Sequence, residues 1–406
     1  MSPALADAAV AAVFREEAGL LTGGLVRLLG DFDVAEEIVQ DTLLAALERW
    51  RRDGIPDRPG AWLATAARRR AIDRLRRNAR FRQKLALLEV EPAGGGEPDD
   101  RLRLIFTCCH PALSPRARVV LTLRAICGFT TAEIAGALLL SEAAVAQQIH
   151  RARRKIVEAG IPYRVPDAEE LAARLDPVLA VLYLMFNEGY LSSGAGDPAR
   201  RDLAEDAAWL AALLTRLLPT EPEPLGLLAL MRLHLARASA RFDAAGDLVL
   251  IADQDRSRWD RAAIAAAIAL VERAGAMRRP GPYQLQAAIA ACHAEARSWA
   301  ETDWRQILVL YDLLLRLSPS PVVRMNRAVA LRWVAGSTAA LAELESLAAP
   351  LDGYHLFHAA RAELLHELGR REEARAAEER ALGLTANRAE RALLERRLKL
   401  SPGAGA

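Results

Sequence analysis

The sequence predicts an all-α protein, on three observations. Ala, Leu, Arg and Glu dominate the 406 residues, whereas aromatic residues make up 5%, and this composition favours helix. Apolar residues recur at the helical period of 3.6 along most of the chain. Alternating runs of β-branched residues, which would indicate strands, are missing. A chain of this length can bury two or three separate cores, so we expect several helical domains.

Two loop-like stretches divide the chain. The clearer one is EVEPAGGGEPDD at 89–100, where proline, glycine and acids replace any apolar face. A weaker one is IPYRVPDAEE at 161–170, with two prolines. We therefore expect helical domains at 8–85 and 101–160, a flexible linker at 86–100, and a third helical region at 171–400.

A weak internal repeat lies near the end of the chain. The stretches that begin at Arg327 and Arg361 are offset by 34 residues, which is the period of tetratricopeptide repeats. Small or apolar residues match between the copies: Ala328 with Ala362, Leu331 with Leu365, and Ala340 with Ala374. Small residues at such positions let two antiparallel helices approach closely. We favour stacked helical hairpins; an irregular helical bundle is the alternative.

The charge is unevenly distributed. The whole chain is nearly neutral, with 54 basic and 52 acidic residues. Residues 1–165 hold 25 basic and 20 acidic residues, whereas the remainder holds 29 and 32. A basic first part joined to an acidic second part indicates an anionic partner for the first.

The residue content argues against a membrane protein, a disulfide framework and a metal site. No apolar run reaches the roughly 18 residues of a membrane span, and no signal-peptide pattern is present, which predicts a cytoplasmic protein without membrane contact. The cysteines are one adjacent pair and two isolated residues, so we expect buried or incidental thiols rather than zinc ligands: Cys108, Cys109, Cys127 and Cys292. Without a phosphate loop or nucleophile elbow, we expect no catalytic residue, metal or cofactor.

The segment 61–77 has one apolar side and one basic side. The apolar side repeats at helical spacing and consists of Trp62, Leu63, Ala66, Ala67, Ala71 and Leu75. Nine Arg or Lys but a single acid, Asp73, lie between Arg68 and Lys84. A charge run is usually a solvated face, yet here the acids that normally interleave are almost absent. The positive charges repel unless an anion is bound, and phosphate is the obvious anion, so we favour nucleic-acid binding.

The stretch 113–156 has the pattern of a helix-turn-helix. Ser114 with Pro115 predicts the start of one helix, Thr130 with Glu133 forms a capping box for a second, and Ser141 caps a third. In the third helix the predicted inward residues are Val145, Ile149, Ala152 and Ile156, and the predicted outward residues are Gln147, Gln148, His150, Arg151, Arg153, Arg154 and Lys155. Outward Gln and Arg can meet base edges and phosphates. An ordinary three-helix bundle is the alternative.

These segments occur in an order that resembles a known family. GDFDVAEEIVQDTLLAALERW is followed by PGAWLATAARRRAIDRLRR, then by the linker, then by the helix-turn-helix ending in RARRK. This order resembles the extracytoplasmic-function (ECF) sigma factors of the sigma-70 class, over residues 8–158. Further stretches, among them TCCHPALSPRARVVLTLR at 107–124 and LYLMFNEGYLSSGAG at 182–196, resemble the subgroup with a long C-terminal tetratricopeptide-like extension.

The resemblance implies partners and residue roles. The helix 33–50, which we expect Asp33 to cap, would dock on core RNA polymerase through Glu36, Glu37, Gln40, Asp41 and Leu43. The helix 61–77 would melt and read the minus-ten element of promoter DNA through Arg68, Arg69, Asp73, Arg74, Arg76 and Arg77. The third helix of the helix-turn-helix would face the minus-thirty-five element through Ala144, Ala146, Gln147, His150, Arg151 and Arg154. The extension would regulate activity through contacts with the sigma domains or with a small partner protein.

Two stretches of the second half stand apart from these roles. FNEGY at 186–190 could bind a ligand, but a helix end capped by Gly189 is the favoured interpretation. DQDRSRWDR at 253–261 indicates an ion-paired helix start, with an interface contact as the alternative. His293 and Cys292 lie in an alanine-rich helix and are expected in the core.

The function predicted from the sequence is that of an alternative sigma factor, which is not itself an enzyme. The alternative is a stand-alone helix-turn-helix regulator with a ligand- or protein-sensing repeat domain. A scaffold protein in which the repeats dominate is a third possibility. The acidic helix 33–50 separates the first two, because a simple regulator has no need of it.

Overall fold

The computed structural model describes residues 3–77, 100–138, 140–191, 198–243, 246–385 and 387–400. Over these residues the protein is helical, and its one extended pairing is an isolated bridge between Phe242 and Leu248. The all-α prediction is confirmed. No helix in the described ranges is long and apolar enough to cross a membrane. Of the predicted linker 86–100, residues 86–99 lie outside the described part of the chain.

The chain divides into two compact units, Met1–Glu188 and Gly189–Ala406. The helices that begin in the first unit are α1 Pro3–Leu29, α2 Phe32–Asp53, α3 Pro59–Arg77, α4 Asp100–Cys108, α5 Pro115–Ala125, α6 Thr131–Leu138, α7 Glu142–Glu158 and α8 Ala168–Leu191. Helix α8 continues through Gly189, so the prediction that this glycine ends the helix is wrong.

Side-chain caps fix where several of these helices begin. Ser114 accepts a hydrogen bond from the amide of Ala117, and Ser141 accepts one from Ala144. Thr130 and Glu133 exchange the two hydrogen bonds of a capping box. These three predicted caps are confirmed.

The predicted cap of α2 is wrong. Asp31, not Asp33, accepts hydrogen bonds from the amides of Asp33 and Val34. The chain turns at Gly30, which has a positive φ of 71°, so the cap falls directly after this glycine. Asp33 instead lies in the first turn of the helix, where its carboxylate is exposed.

Helices α1, α2 and α3 share one apolar core. Trp50 is 1% exposed, and its ring meets that of Trp62 edge-on, with 5.5 Å between the ring centroids. Leu63, Ala67 and Ala71 of α3 complete this core on the predicted apolar side of the basic helix.

We expect Trp50→Ala to destabilise this three-helix core by about 3–5 kcal/mol, because a large buried ring is lost and a cavity remains. Leu44 is on the same helix and 59% exposed, so Leu44→Ala should cost less than about 0.5 kcal/mol. Hydrogen exchange of the α1–α3 amides in the full-length protein measures both. Equal effects of the two substitutions would contradict the packing described.

The α1–α3 core packs directly on the helices that follow it. A Cβ atom on Gly23 of α1 would lie 2.9 Å from the carbonyl oxygen of Asp100 at the start of α4, so only glycine allows this approach. Tyr163, beyond α7, donates a hydrogen bond of 2.8 Å to the carbonyl oxygen of Gly23. Burial raises the pKa of this hydroxyl, which therefore keeps its proton. The first unit thus holds the basic helix and the helix-turn-helix in one compact body.

The second unit is a series of helices, most of which pack on their neighbours in the chain. They are α9 Pro198–Leu217, α10 Pro222–Leu235, α11 Arg261–Ala276, α12 Pro282–Glu295, α13 Trp304–Leu317, α14 Pro321–Ala335, α15 Ser337–Glu345, α16 Ala348–Leu351, α17 His355–Glu367, α18 Arg371–Leu384 and α19 Arg388–Leu400. Helix α14 pairs with α15, and α17 pairs with α18. The matched alanines of the sequence repeat are all fully buried: Ala328, Ala340, Ala362 and Ala374. Three of them, Ala328, Ala340 and Ala374, belong to one apolar core.

The stretch 253–261 begins a helix as predicted, since Asp260 caps α11 through the amide of Ala263. The predicted ion pairing is wrong. Among the described residues, no carboxylate forms an ion pair with the three arginines of this stretch, which donate to backbone carbonyl oxygens instead. They are Arg256, Arg258 and Arg261.

Candidate nucleic-acid interface and acidic helix

The basic side of α3 faces solvent. Arg68 and Arg69 are exposed, as is Asp73, on the side of the helix opposite Leu63 and Ala67. Among the described residues, no acid forms an ion pair with Arg68 or Arg69, so their guanidinium groups are available to an anion. Arg76 and Arg77 form the end of α3, and their side chains lie outside the described part of the structure.

Arg74 is tied to α2 rather than directed to solvent alone. Its Nη2 lies 3.0 Å from Oε2 of Glu37. Both side chains are about half exposed, so the pair contributes little to stability. It does join a residue predicted to bind DNA to a residue predicted to bind polymerase.

The third helix of the helix-turn-helix, α7, presents most of its predicted outer residues. Val145, Ile149, Ala152 and Ile156 are buried, as predicted. The exposed residues are Ala146, Gln147, His150, Arg151 and Arg154, whereas Ala144 is half-buried. Arg154 also pairs with Glu158 one turn later, at 2.9 Å. The helix therefore offers hydrogen-bond donors and acceptors on one open face, as a helix that enters the major groove requires.

Two residues predicted to face outward do not. Gln148 is half-buried, and its Oε1 has no described hydrogen-bond partner. Arg153 has a side chain 15% exposed and turns toward α2, where it meets Asp33 at 2.5 Å and also Glu36. Both positions flank the buried stripe of α7, because each is three or four residues from two of its members. That spacing is the sequence signal that these two side chains are not fully exposed. The acids of α2 then determine that Arg153 turns inward.

Glu36 of α2 is the centre of a half-buried ion-pair cluster. Its two carboxylate oxygens accept hydrogen bonds from Arg153 and from Arg124 of α5. Burial alone would raise the pKa of Glu36, but the charges of Arg153 and Arg124 outweigh it and hold the pKa below its usual value. The carboxylate is therefore charged at neutral pH. We call Asp33, Glu36, Arg124 and Arg153 the ion-pair cluster.

A cavity of about 330 Å³ lies beside the ion-pair cluster. Gln40 and Leu43 of α2 line it together with Glu36, and Arg124 and Arg153 line it from the helix-turn-helix. Glu37 and Asp41 remain exposed on the neighbouring face of α2. The structure thus divides the five predicted docking residues: three line a cavity shared with α5 and α7, and two are open to solvent.

The four cysteines are free thiols and all are buried, in agreement with the sequence prediction. Burial raises the pKa of Cys108 well above its usual value, so the thiol is unreactive at neutral pH. In the described residues, no group of three His, Cys, Asp or Glu side chains could hold a metal ion.

Three family models match the chain. Residues 13–81 match sigma-70 region 2, residues 103–156 match sigma-70 region 4, and residues 174–275 match a family of unknown function, DUF6596. The first match contains the acidic helix α2 and the basic helix α3. The second contains the helix-turn-helix.

The chain also resembles several proteins along much of their length. It is 45% identical to an uncharacterized protein of Rhizobium meliloti (strain 1021) over 388 residues, which cover 93% of this chain and 92% of the relative. It is 34% identical over 160 residues to the ECF RNA polymerase sigma factor SigL of Mycobacterium tuberculosis (strain ATCC 25618 / H37Rv), covering 38% of this chain and 90% of SigL. It is 31% identical over 141 residues to the ferric citrate uptake sigma factor FecI of Escherichia coli (strain K12), covering 33% of this chain and 80% of FecI. With both sigma-70 regions in the first unit and SigL covered almost throughout, this chain belongs to the ECF family of RNA polymerase sigma factors.

Proposed function

We propose that the protein binds core RNA polymerase and directs it to a specific set of promoters. The observation that carries this proposal is the first unit itself, in which an acidic helix, an exposed basic helix and a helix-turn-helix occur in the order of the sigma-70 regions. A stand-alone regulator would need only the helix-turn-helix. The acidic face of α2 has no DNA-binding use, since its carboxylates would repel phosphate.

The exposed residues of α3 and α7 suit two different tasks on DNA. Arg68 and Arg69 of α3 can hold the backbone of a melted strand, which offsets part of the unstacking cost of strand separation. Gln147, His150 and Arg151 of α7 can read base edges in duplex DNA. Accordingly, we assign α3 to the minus-ten element and α7 to the minus-thirty-five element.

The docking surface of α2 is proposed to be partly closed in the free protein. Glu36 is a proposed polymerase contact, but Arg124 and Arg153 already bind its carboxylate. It cannot bind these arginines and the polymerase at the same time. Polymerase would first reach Glu37 and Asp41, which are exposed, and then displace the helix-turn-helix from the rest of the face. On this account, binding to polymerase separates α2 from α5 and α7, and leaves α7 free to reach an upstream DNA element.

The second unit is proposed to be a tetratricopeptide-like regulatory extension. The buried alanines of α14, α15, α17 and α18 support stacked hairpins, and such arrays commonly present surfaces to other proteins. Its proposed role is to adjust sigma activity through contacts within the chain or with a small partner protein.

Reconstituted transcription tests the proposal. Sigma-free core polymerase is mixed with the full-length protein and sheared genomic DNA of the host, and the 5′ ends of the transcripts are sequenced. We expect a small set of start sites that is absent without the protein and shares two upstream sequence elements. DNA binding without any new start site would identify the protein as the stand-alone regulator instead.

A further inference from the structure

The second unit contains a cluster of arginines around one buried indole. Trp259 is 3% exposed. Three guanidinium groups lie near it, those of Arg256, Arg237 and Arg261, with their Cζ atoms 4.5, 5.9 and 5.9 Å from the ring centroid. We call these residues, together with His293, the arginine–tryptophan cluster.

Three segments of the unit build this cluster. Arg237 follows α10, and Arg256 lies in a single turn, 256–258, that Asp255 caps through the amide of Ser257. The amide of Asp260 then donates to the carbonyl oxygen of Ala236, which fixes the turn against the end of α10. At the C-terminal end of α12, the carbonyl oxygens of His293 and of Ala296, the residue after the helix, both accept from Nη1 of Arg256 at 2.7 Å. The arginine is therefore held in place on one of its two terminal nitrogens only.

The positive charge of the cluster is not balanced by acids. Within the described ranges, no carboxylate forms an ion pair with Arg237, Arg256 or Arg261, although most arginines of α14, α17 and α18 have one. Burial, together with the charges of Arg237 and Arg256, lowers the pKa of His293 to about 4. Burial likewise lowers the pKa of Arg256, and Arg261 and Arg237 lower it further, while Glu301 offsets this only in part. A site that discourages further positive charge in this way attracts an anion.

The cluster also contains three buried nitrogens without a hydrogen-bond partner in the described protein. They are Nη2 of Arg256, Nε1 of Trp259 and Nδ1 of His293. Buried polar groups are normally satisfied, and an unpaired charged donor is the costliest kind. Arg256 as a whole residue is 9% exposed. The guanidinium of Arg256 lies over the indole of Trp259 and donates to the backbone carbonyl oxygen of His293, so one small acceptor group could serve more than one of these residues.

We propose that the arginine–tryptophan cluster is a binding site for a small oxyanion, a phosphate or a carboxylate group. The guanidinium of Arg256 and the indole N–H of Trp259 donate to the oxygens, His293 donates from Nδ1 in its neutral form, and Arg237 and Arg261 supply charge. Arg261 is exposed and Arg237 half-buried, so the positive charge of the cluster extends to the protein surface. This proposal is independent of the sigma-factor function.

The first test uses the unchanged, full-length protein labelled with ¹⁵N at tryptophan. Inorganic phosphate is titrated against sodium chloride of equal ionic strength, and the indole N–H resonances are recorded, with Trp259 identified through Trp259→Phe. We expect a saturable shift of the Trp259 resonance in phosphate but not in chloride. If phosphate and chloride give the same shifts, buried water satisfies these nitrogens and the proposal is overturned.

Matched variants give the second test. Arg256→Gln should weaken phosphate binding at least ten-fold by calorimetry. Arg258→Gln removes the same charge from the same turn, but Arg258 donates to the carbonyl oxygen of Ser239 and does not lie over the indole, so binding should be unchanged. Equal loss in the two variants would overturn the proposal. A parallel titration with acetate distinguishes the two kinds of ligand. Binding of acetate as well as phosphate indicates a site that accepts carboxylates, and binding of phosphate alone indicates a phosphate site.

Discussion

Replacing Arg68 and Arg69 with glutamate is expected to abolish promoter opening while leaving polymerase binding intact. Both side chains are exposed on α3 and lie away from its buried side, so the core of α1–α3 should fold normally. On the proposed assignment of α3, the substitutions turn two attractive contacts with a single-stranded backbone into two repulsive ones. Each contact with a single strand contributes about 0.7 to the slope of log affinity against log salt, so the slope should fall by about 1.4 or more.

The measurement is the yield of permanganate-reactive thymines at a start site found by the transcription assay, at several salt concentrations. The matched control is Arg305→Glu with Arg316→Glu, two exposed arginines of α13 with the same change in charge. We expect at least 100-fold less opening in the α3 variant and no change in the control. Normal opening by the α3 variant would exclude α3 as the melting helix.

Replacing Arg124 and Arg153 with glutamine is expected to strengthen binding to core polymerase. The substitutions remove the cations from the ion-pair cluster but leave Asp33 and Glu36 available to polymerase. If the closed arrangement restricts docking, the apparent dissociation constant equals the intrinsic one divided by the fraction of open molecules. The side chains of Arg124, Arg153 and Glu36 are 15–19% exposed. If the substitutions lower the free energy of opening by about 1–2 kcal/mol, binding to polymerase would tighten about 5- to 30-fold.

Fluorescence anisotropy of labelled protein against core polymerase measures this change. Arg116→Gln with Lys155→Gln is the control, because both cations are exposed and lie on the same helix-turn-helix. Salt weakens the same ion pairs in the unchanged protein. As salt rises, the affinity of the unchanged protein for polymerase should therefore approach that of the Arg124 and Arg153 variant. Equal affinities of variant, control and unchanged protein would show that the ion-pair cluster does not restrict docking.

Local patterns in the sequence predicted the helices well, and the contacts between distant helices were not predictable from them. Ser114, Thr130 and Ser141 cap their helices as expected because a cap depends on residues three positions apart. Periodicity likewise identified Val145, Ile149, Ala152 and Ile156 as the buried side of α7. It misplaced Arg153, since the acids that bind it come from α2, about 120 residues earlier in the chain.

The same limit applies to the second unit. The alternation of acids and bases at 253–261 indicated ion pairs along one helix start. The fold instead directs Arg256 to carbonyl oxygens of α12 and brings Arg237 beside Trp259. Only the packing of three segments shows that these positive charges have no acidic partner among the described residues. A charged stretch therefore predicts a polar environment, but it does not predict whether each positive charge is paired with a negative one.

Affinity for core RNA polymerase is the most direct test of the central claim. The full-length protein is compared with Glu37→Lys/Asp41→Lys, which reverses the exposed charges of the α2 face, and with Glu169→Lys/Glu272→Lys, which makes the same change in charge at exposed acids elsewhere. We predict tight binding by the unchanged protein and the control, and at least ten-fold weaker binding by the α2 variant. Equal binding by all three would contradict docking through α2, and no binding by the unchanged protein would contradict the sigma-factor function itself.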